Sequence, residues 1–254
     1  MILCAAGDTH GALDRFYDAV LAFEVHLGAT FDHVLHVGDF GIWPDPDRID
    51  RATRRHDGAG DFATWLQNER TPPRPTLFIK GNHEDFDWLE ARPDGVVLPG
   101  LHYLPNGTRR VLPGGVAVGG IGGCHGPSNY ARPSRTLQGS ARRHYTRDEI
   151  AQLARGPRVD VLLLHDAPAG VVFDKRFPSG DPRRYTSEAA GLAELVASHQ
   201  PTVCFFGHHH ARVHTDVAGV PCIGLNVVGR PGHLVAFEVT PGGPVQLLGE
   251  WSGP

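Results

Sequence analysis

The chain has 254 residues, a mass of 27.5 kDa, a formal net charge of −4 and a pI near 6.4. That balance excludes a general electrostatic attraction to nucleic acid or acidic membranes, and the length can bury a full core without covalent staples. The four cysteines (Cys4, Cys124, Cys204, Cys222) lie far apart with no C-x-x-C pair, which excludes a disulfide framework and suits a reducing cytosol.

Ile2 to Ala6 is a short apolar run that leads into Asp8-Thr9-His10, the pattern of a buried strand with a polar cluster at its carboxyl end. Leu13, Phe16, Val20, Phe23 and Leu27 then recur at spacings of three and four, predicting an amphipathic helix closed by Gly28. Val34 to Val37 predicts a second strand leading into Gly38-Asp39. A helix is expected over Asp61 to Glu69, with Phe62, Trp65 and Leu66 on one face, ending before Thr71-Pro72-Pro73. Thr76 to Lys80 is the third strand and runs into Gly81-Asn82-His83-Glu84. This β-α-β-α-β order implies parallel strands with right-handed crossovers.

From Leu101 to Gly123 the pieces are short and strand-like, with Pro105-Asn106-Gly107 read as a hairpin turn. Residues 122 to 145 form a long loop rich in Gly, Pro, Ser and Arg. Thr146 and Glu149 make a capping box for a helix that Gly156-Pro157 ends. Val159 to Leu164 is a fourth strand leading into His165-Asp166, and residues 170 to 185 are expected to be an irregular, partly basic loop. A helix over Glu188 to Ser198 precedes the fifth strand, Thr202 to Phe206, which leads into Gly207-His208-His209-His210. Val213 to Val217 and Leu234 to Val239 read as antiparallel strands. The start of the chain lacks the basic region and cleavage site of a signal peptide, and no apolar stretch reaches membrane-spanning length. A soluble, cytoplasmic protein folded as a single domain over residues 1–254 is expected, with no membrane partner.

Five strand ends carrying Asp, Asn and His point to one polynuclear metal centre, because layered α/β sheets build sites at the carboxyl ends of their strands. Asp8 and His10 supply a carboxylate and an imidazole from one turn. Asp39 has two oxygens able to bridge two cations, Asn82 offers a neutral amide oxygen, and His165, His208 and His210 complete a mixed N/O set. Such donors suit Mn, Fe or Zn better than Ca or a thiolate-bound metal, with Mn favoured. His209 is expected to point away from its two neighbours, Asp166 to begin the turn at Ala167-Pro168, and Glu84 to be structural.

The ordered set Asp8-x-His10, Gly38-Asp39, Gly81-Asn82-His83-Glu84, His165 and Gly207-His208-x-His210 resembles the calcineurin-like metallophosphoesterases. The resemblance implies a four-layer αββα sandwich of two mixed β-sheets flanked by helices. It also implies two divalent metal ions, one held by Asp8, His10, Asp39 and His210 and the other by Asp39, Asn82, His165 and His208. A hydroxide bridging the two metals would attack the phosphoester in line, with His83 as the general acid for the leaving group. Gly38-Asp39-Phe40-Gly41 departs from the Gly-Asp-x-x-Asp-Arg-Gly of the protein Ser/Thr phosphatases. His10-Gly11-x-Leu13-Asp14, Gly38-Asp39-Phe40 and Gly119-Gly120-Ile121-Gly122-Gly123 look more like the RNA lariat debranching enzymes, which usually have Cys where this chain has Asp8.

Between His125 and Arg158 seven arginines (132, 135, 142, 143, 147, 155, 158) face two acids, Asp148 and Glu149. Arg forks recognise phosphate, so His125, Tyr130, Arg132, Arg135, Arg142 and Arg143 are candidate contacts for a nucleotide or RNA substrate. The expected activity is a phosphodiesterase. The alternatives are a phosphomonoesterase on nucleotides or small metabolites, and a non-catalytic scaffold.

Overall fold

A computed structural model describes residues 1–92, 94–176 and 182–253. One sheet contains β1 (Ile2–Ala6), β2 (His33–His36), β3 (Thr76–Phe78), β4 (Val96–Leu98) and β5 (Leu101–Tyr103), joined by β14 (Leu234–Val239) and β15 (Val245–Glu250), in the order β15-β14-β1-β2-β3-β5-β4. The other contains β6 (Arg109–Val111), β7 (Ala117–Ile121), β8 (Val161–Leu164), β11 (Val203–Phe206), β12 (Val213–Val217) and β13 (Val220–Gly224), in the order β12-β13-β11-β8-β7-β6. In each sheet a parallel middle is flanked by antiparallel edges: β1, β2, β3 and β5 are parallel in the first, and β13, β11, β8 and β7 in the second.

The alternation of side chains along each strand creates three apolar layers. Leu3, Leu35, Leu77, Val161, Leu163 and Phe205 face the space between the sheets. Their chain neighbours turn outward. Cys4, Val34 and Phe78 pack under α1 (Leu13–Leu27), α2 (Asp61–Gln67) and α3 (Phe86–Glu90), and Leu162, Leu164 and Phe206 pack under α5 (Arg147–Arg155) and α6 (Ala190–His199). Each fully buried Leu or Phe contributes about 1.5–3 kcal/mol. The result is the αββα sandwich expected from the sequence. Among the described residues no helix is long and apolar enough to cross a membrane.

α1 buries Leu13, Phe16, Val20 and Phe23, and ends where Gly28 takes the left-handed conformation at φ 65°. The capping box of α5 is present, with the Thr146 N–H donating to Glu149 Oε2 at 2.8 Å. Two local expectations need correcting. Pro105 to Gly107 does turn, with the Thr108 N–H donating to the Pro105 carbonyl at 3.2 Å, but it carries the chain from β5 in one sheet to β6 in the other. Residues 170–185 contain a two-stranded ribbon, β9 (Val172–Arg176) and β10 (Pro182–Thr186), rather than an irregular loop. Residues 177–181 of that stretch lie outside the described residues. The ribbon is anchored by Phe173 stacked on Tyr185, with ring centroids 5.1 Å apart. The long loop after β7 contains one short helix, α4 (Pro127–Tyr130), and two 3₁₀ turns.

Candidate metal centre

β1, β2 and β3 of one sheet and β8 and β11 of the other all finish on the same rim, and the chain turns sharply there. His10, Asp39, His208 and His210 all have left-handed backbones, with φ of 49°, 51°, 61° and 46°. For non-glycine residues this costs about 1–3 kcal/mol each and persists only where the surroundings impose it. The Thr9 and His10 N–H groups both donate to the Asp39 carbonyl, at 3.1 and 2.8 Å, which joins the first two turns. Two glycines make room for the carboxylates. A β-carbon on Gly81 would lie 2.0 Å from Asp39 Oδ1, and one on Gly207 would lie 2.2 Å from Asp8 Oδ1.

The donor atoms fall into two groups that meet at Asp39. Asp8 Oδ2 lies 3.0 Å from His210 Nε2, which lies 3.0 Å from His10 Nε2. On the other side, His165 Nε2 lies 2.9 Å from Asn82 Oδ1, and the His165 and His208 rings are 5.1 Å apart. Asp39 Oδ2 stands between the groups, 3.8 Å from His10 Nδ1 and 3.6 Å from His165 Nε2. Its other oxygen is committed to the backbone, accepting the N–H groups of Asn82 at 2.7 Å and His83 at 2.8 Å. The Val37 carbonyl, 2.9 Å from His165 Nδ1, directs that ring's proton to Nδ1 and leaves Nε2 facing the centre.

The charge states suit cation binding. Burial alone would raise the Asp8 carboxyl, but its hydrogen bond with His210 and the surrounding imidazoles outweigh it and hold the group well below the usual range. Asp39 is lowered too, because His165 and His10 outweigh its burial. Burial pushes His208 down to about 4 and lowers His10, which keeps lone pairs available. His10 Nδ1 is buried without a hydrogen-bond partner. Asp8, His10 and His210 offer atoms all within 4.8 Å of one another. Carboxylate, amide and imidazole donors this close together fit divalent metal ions, and Asp8, His10, Asp39, Asn82, His165, His208 and His210 are the residues that would hold them.

His83 is half-buried at the edge of this cluster, its ring centroid 5.8 Å from that of His10. Its Nδ1 lies 2.7 Å from Asp50 Oδ2. Burial disfavours the imidazolium, yet the Asp50 hydrogen bond and the Asp39 charge more than offset it and raise the His83 pKa. Asp50 is in turn held by the N–H groups of Ala52 and Thr53. The sequence reading missed Asp50, and it missed His56, whose ring stacks on His10 with centroids 3.9 Å apart at 16°. Both lie in the irregular stretch after β2, where no periodicity or spacing marks them.

Glu84 accepts the N–H groups of Phe40, Gly41 and Ile42, so it ties down the chain after Asp39. Asp166 begins its turn by accepting the Ala167 N–H, and it also takes the His125 N–H and lies 3.0 Å from His209 Nε2. His209 points away from the donor cluster as expected, but not into solvent. Its Nδ1 lies 3.0 Å from the Tyr185 hydroxyl and its ring stacks on Phe173 at 4.2 Å, fastening the β9–β10 ribbon beside the centre.

The candidate substrate contacts divide. Arg143 lines a cavity of about 200 Å³ together with Asn82 and Asp50. Arg135 and Arg142 line an adjacent cavity of about 470 Å³ with Lys80 and Tyr103, and Arg142 pairs with Glu90 at 3.2 Å. His125 and Tyr130 pack against each other and against Tyr145. Arg132 is exposed and bonds within its own loop, to Asn129 and Thr136.

The family described as Calcineurin-like phosphoesterase matches residues 1–212. The chain is similar to the Lariat debranching enzyme of Drosophila melanogaster, 28% identical over 232 residues that cover 84% of this chain and 43% of that protein. The Homo sapiens Lariat debranching enzyme is 27% identical over 84% of this chain and 42% of its own length. The Schizosaccharomyces pombe enzyme of the same name is 25% identical over 81% and 47%. The matched region spans less than half the length of these curated relatives.

Proposed function

The chain belongs to the calcineurin-like phosphoesterase family, and from that premise we propose that it is a metal-dependent phosphoester hydrolase acting on phosphodiesters of nucleotides or nucleic acid. The observation that carries this reading is the position of Asp39 Oδ2 between two groups of donors, 3.8 Å from His10 Nδ1 and 3.6 Å from His165 Nε2. Two divalent metal ions, Mn, Fe or Zn with Mn favoured, would supply Lewis acidity and water activation when bound.

The protein's own groups have separable tasks. Asp39 uses Oδ1 to fix itself to the backbone beside Asn82 and His83, which leaves Oδ2 free to be shared. His165 is set by the Val37 carbonyl to present Nε2. His83, protonated with help from Asp50, delivers a proton to the leaving oxygen from Nε2. Arg143, which lines the same cavity as Asn82, would meet a substrate phosphate, and Arg135 and Arg142 the next group along. The relatives named lariat debranching enzymes favour a diester of nucleic acid over a monoester. One domain over residues 1–254 would carry the activity, since the candidate ligands run from Asp8 to His210 and come from both sheets. Cysteines that are all unpaired suit a reducing compartment such as the cytoplasm.

The deciding experiment is a matched turnover comparison in Mn²⁺ between bis-p-nitrophenyl phosphate and p-nitrophenyl phosphate, with Asp39→Asn as control. A clear diester preference that the control loses supports the proposal. A monoester preference replaces it with a phosphatase, and no turnover of either by metal-loaded protein replaces it with a scaffold.

A further inference from the structure

The metal centre occupies one rim of the layer between the sheets. Near the opposite rim, where β2 and β3 begin, lies a separate cavity of about 340 Å³. His33 and His102 line it from one sheet, Arg110 from the edge strand of the other, and Pro75, Leu112 and Pro113 provide apolar walls.

Strand register explains why these three basic side chains meet. Arg110 pairs with Val118, which belongs to the inter-sheet layer, and directly opposed residues of an antiparallel pair share a face. His102 is in register with Leu77, and His33 stands two residues before Leu35, both from that same layer. At this edge the apolar filling between the sheets therefore gives way to a guanidinium and two imidazoles. Among the described residues no carboxylate pairs with Arg110, and His33 Nδ1 is buried without a hydrogen-bond partner. The nearby Asp32 is already engaged, accepting the Ile2 N–H at 2.9 Å. Burial is the main cause holding both imidazoles below their ordinary value. Arg110 acts in the same direction, while Asp32 opposes it at His33 and Asp94 opposes it at His102. A neutral imidazole still donates one N–H.

We infer that this cavity is a binding site for a nucleoside monophosphate, separate from the metal centre. The guanidinium fork of Arg110 takes the phosphate oxygens, since its planar donors match that geometry. His33 and His102 donate further hydrogen bonds, and the flat base lies against the proline and leucine walls. The volume falls in the range of small-molecule sites, about 300–1,000 Å³, and exceeds what a bare phosphate would fill. Thr76 and Leu77 of β3 line this cavity, whereas Asn82 lies beyond the other end of the same strand. An occupant here leaves the metal centre open, and the site stands whatever substrate that centre takes.

The test is calorimetric titration of the full metal-loaded chain with adenosine 5′-monophosphate, repeated with adenosine and with inorganic phosphate. The expected result is a binding event that survives Asp39→Asn and weakens at least tenfold in Arg110→Ala and in His102→Gln, with turnover of bis-p-nitrophenyl phosphate by the last two unchanged. Adenosine and phosphate each bind this site at least tenfold more weakly than the nucleotide. The inference is overturned if the wild type shows no such binding, or if either variant binds the nucleotide as the wild type does. It is equally overturned if Arg110→Ala self-associates with binding intact, because the inward charge then serves only to protect an edge strand.

Discussion

The imidazole of His83 is held by the carboxylate of Asp50, with Nδ1 and Oδ2 2.7 Å apart. Asp50 is itself fixed by two backbone N–H groups, so it orients the ring and favours its protonated form. If His83 is the proton donor, His83→Ala lowers turnover by about 10²–10⁴-fold. Asp50→Asn lowers it by about 10–100-fold, as expected for a partner that orients and charges the donor without itself giving up the proton. Both should keep the metal content of the wild type, measured by elemental analysis, and both losses should shrink for substrates whose leaving group needs no proton. A drop in bound metal would show that this pair acts on the ligands instead.

Asp39 is the one candidate ligand shared by the two groups. Asp39→Asn keeps its shape but would give up a charge between the two proposed cations, so turnover should fall by orders of magnitude and bound metal should drop below that of the wild type. Undiminished turnover in metal-replete Asp39→Asn protein would sink the shared-ligand arrangement.

Gly81→Ala tests the same carboxylate from another side. A β-carbon would sit 2.0 Å from Asp39 Oδ1 and 2.1 Å from the Asp39 backbone nitrogen, so the carboxylate and the turn that carries it must both move. A displacement of about 1 Å at a catalytic group costs about a hundredfold in rate. The expected outcome is a folded protein by circular dichroism with that loss. Wild-type turnover would mean that the Asp39 turn yields freely.

Removing metal should cost stability as well as activity, because the ligand set is assembled only in the folded state. At a free metal concentration a hundred times its Kd, each site adds about 2.7 kcal/mol. For a chain of this size that corresponds to about 5–10 °C in Tm per site, so emptying both proposed sites by chelation should lower Tm by about 10–20 °C. Scanning calorimetry before and after chelation checks it, and re-addition of Mn²⁺ should restore both Tm and turnover.

The layer between the sheets provides a contrasting change. Phe205 is fully buried and lies 4.9 Å from the Phe237 ring across that layer. Phe205→Ala should cost about 3–5 kcal/mol, read as a lower denaturation midpoint, while the folded fraction keeps its metal stoichiometry.

The candidate ligands could be read from the sequence because each closes an apolar strand, and strand ends on one rim are brought together by the parallel topology alone. Asp50 and His56 could not, since their contacts depend on how the 3₁₀ turns after β2 fold back over His10. The β9–β10 ribbon was hidden for another reason. Its anchoring contacts are those of Phe173 and Tyr185 with His209, which lies at least 24 residues further along the chain, while its local composition is that of a charged loop. Pro105 to Gly107 was correctly read as a turn, yet nothing local tells a turn within a sheet from one that passes between sheets.

Asp8 receives the His208 N–H across a separation of 200 residues, and β1 is flanked on one side by β14, which comes later still. During synthesis the early strands therefore emerge with a polar rim that has no counterpart and an edge with no neighbour. Closing so long a span is entropically slow. The proposed centre cannot be completed until residue 210 has been made, so metal capture would distinguish a polypeptide that has passed that point from one cut short before it.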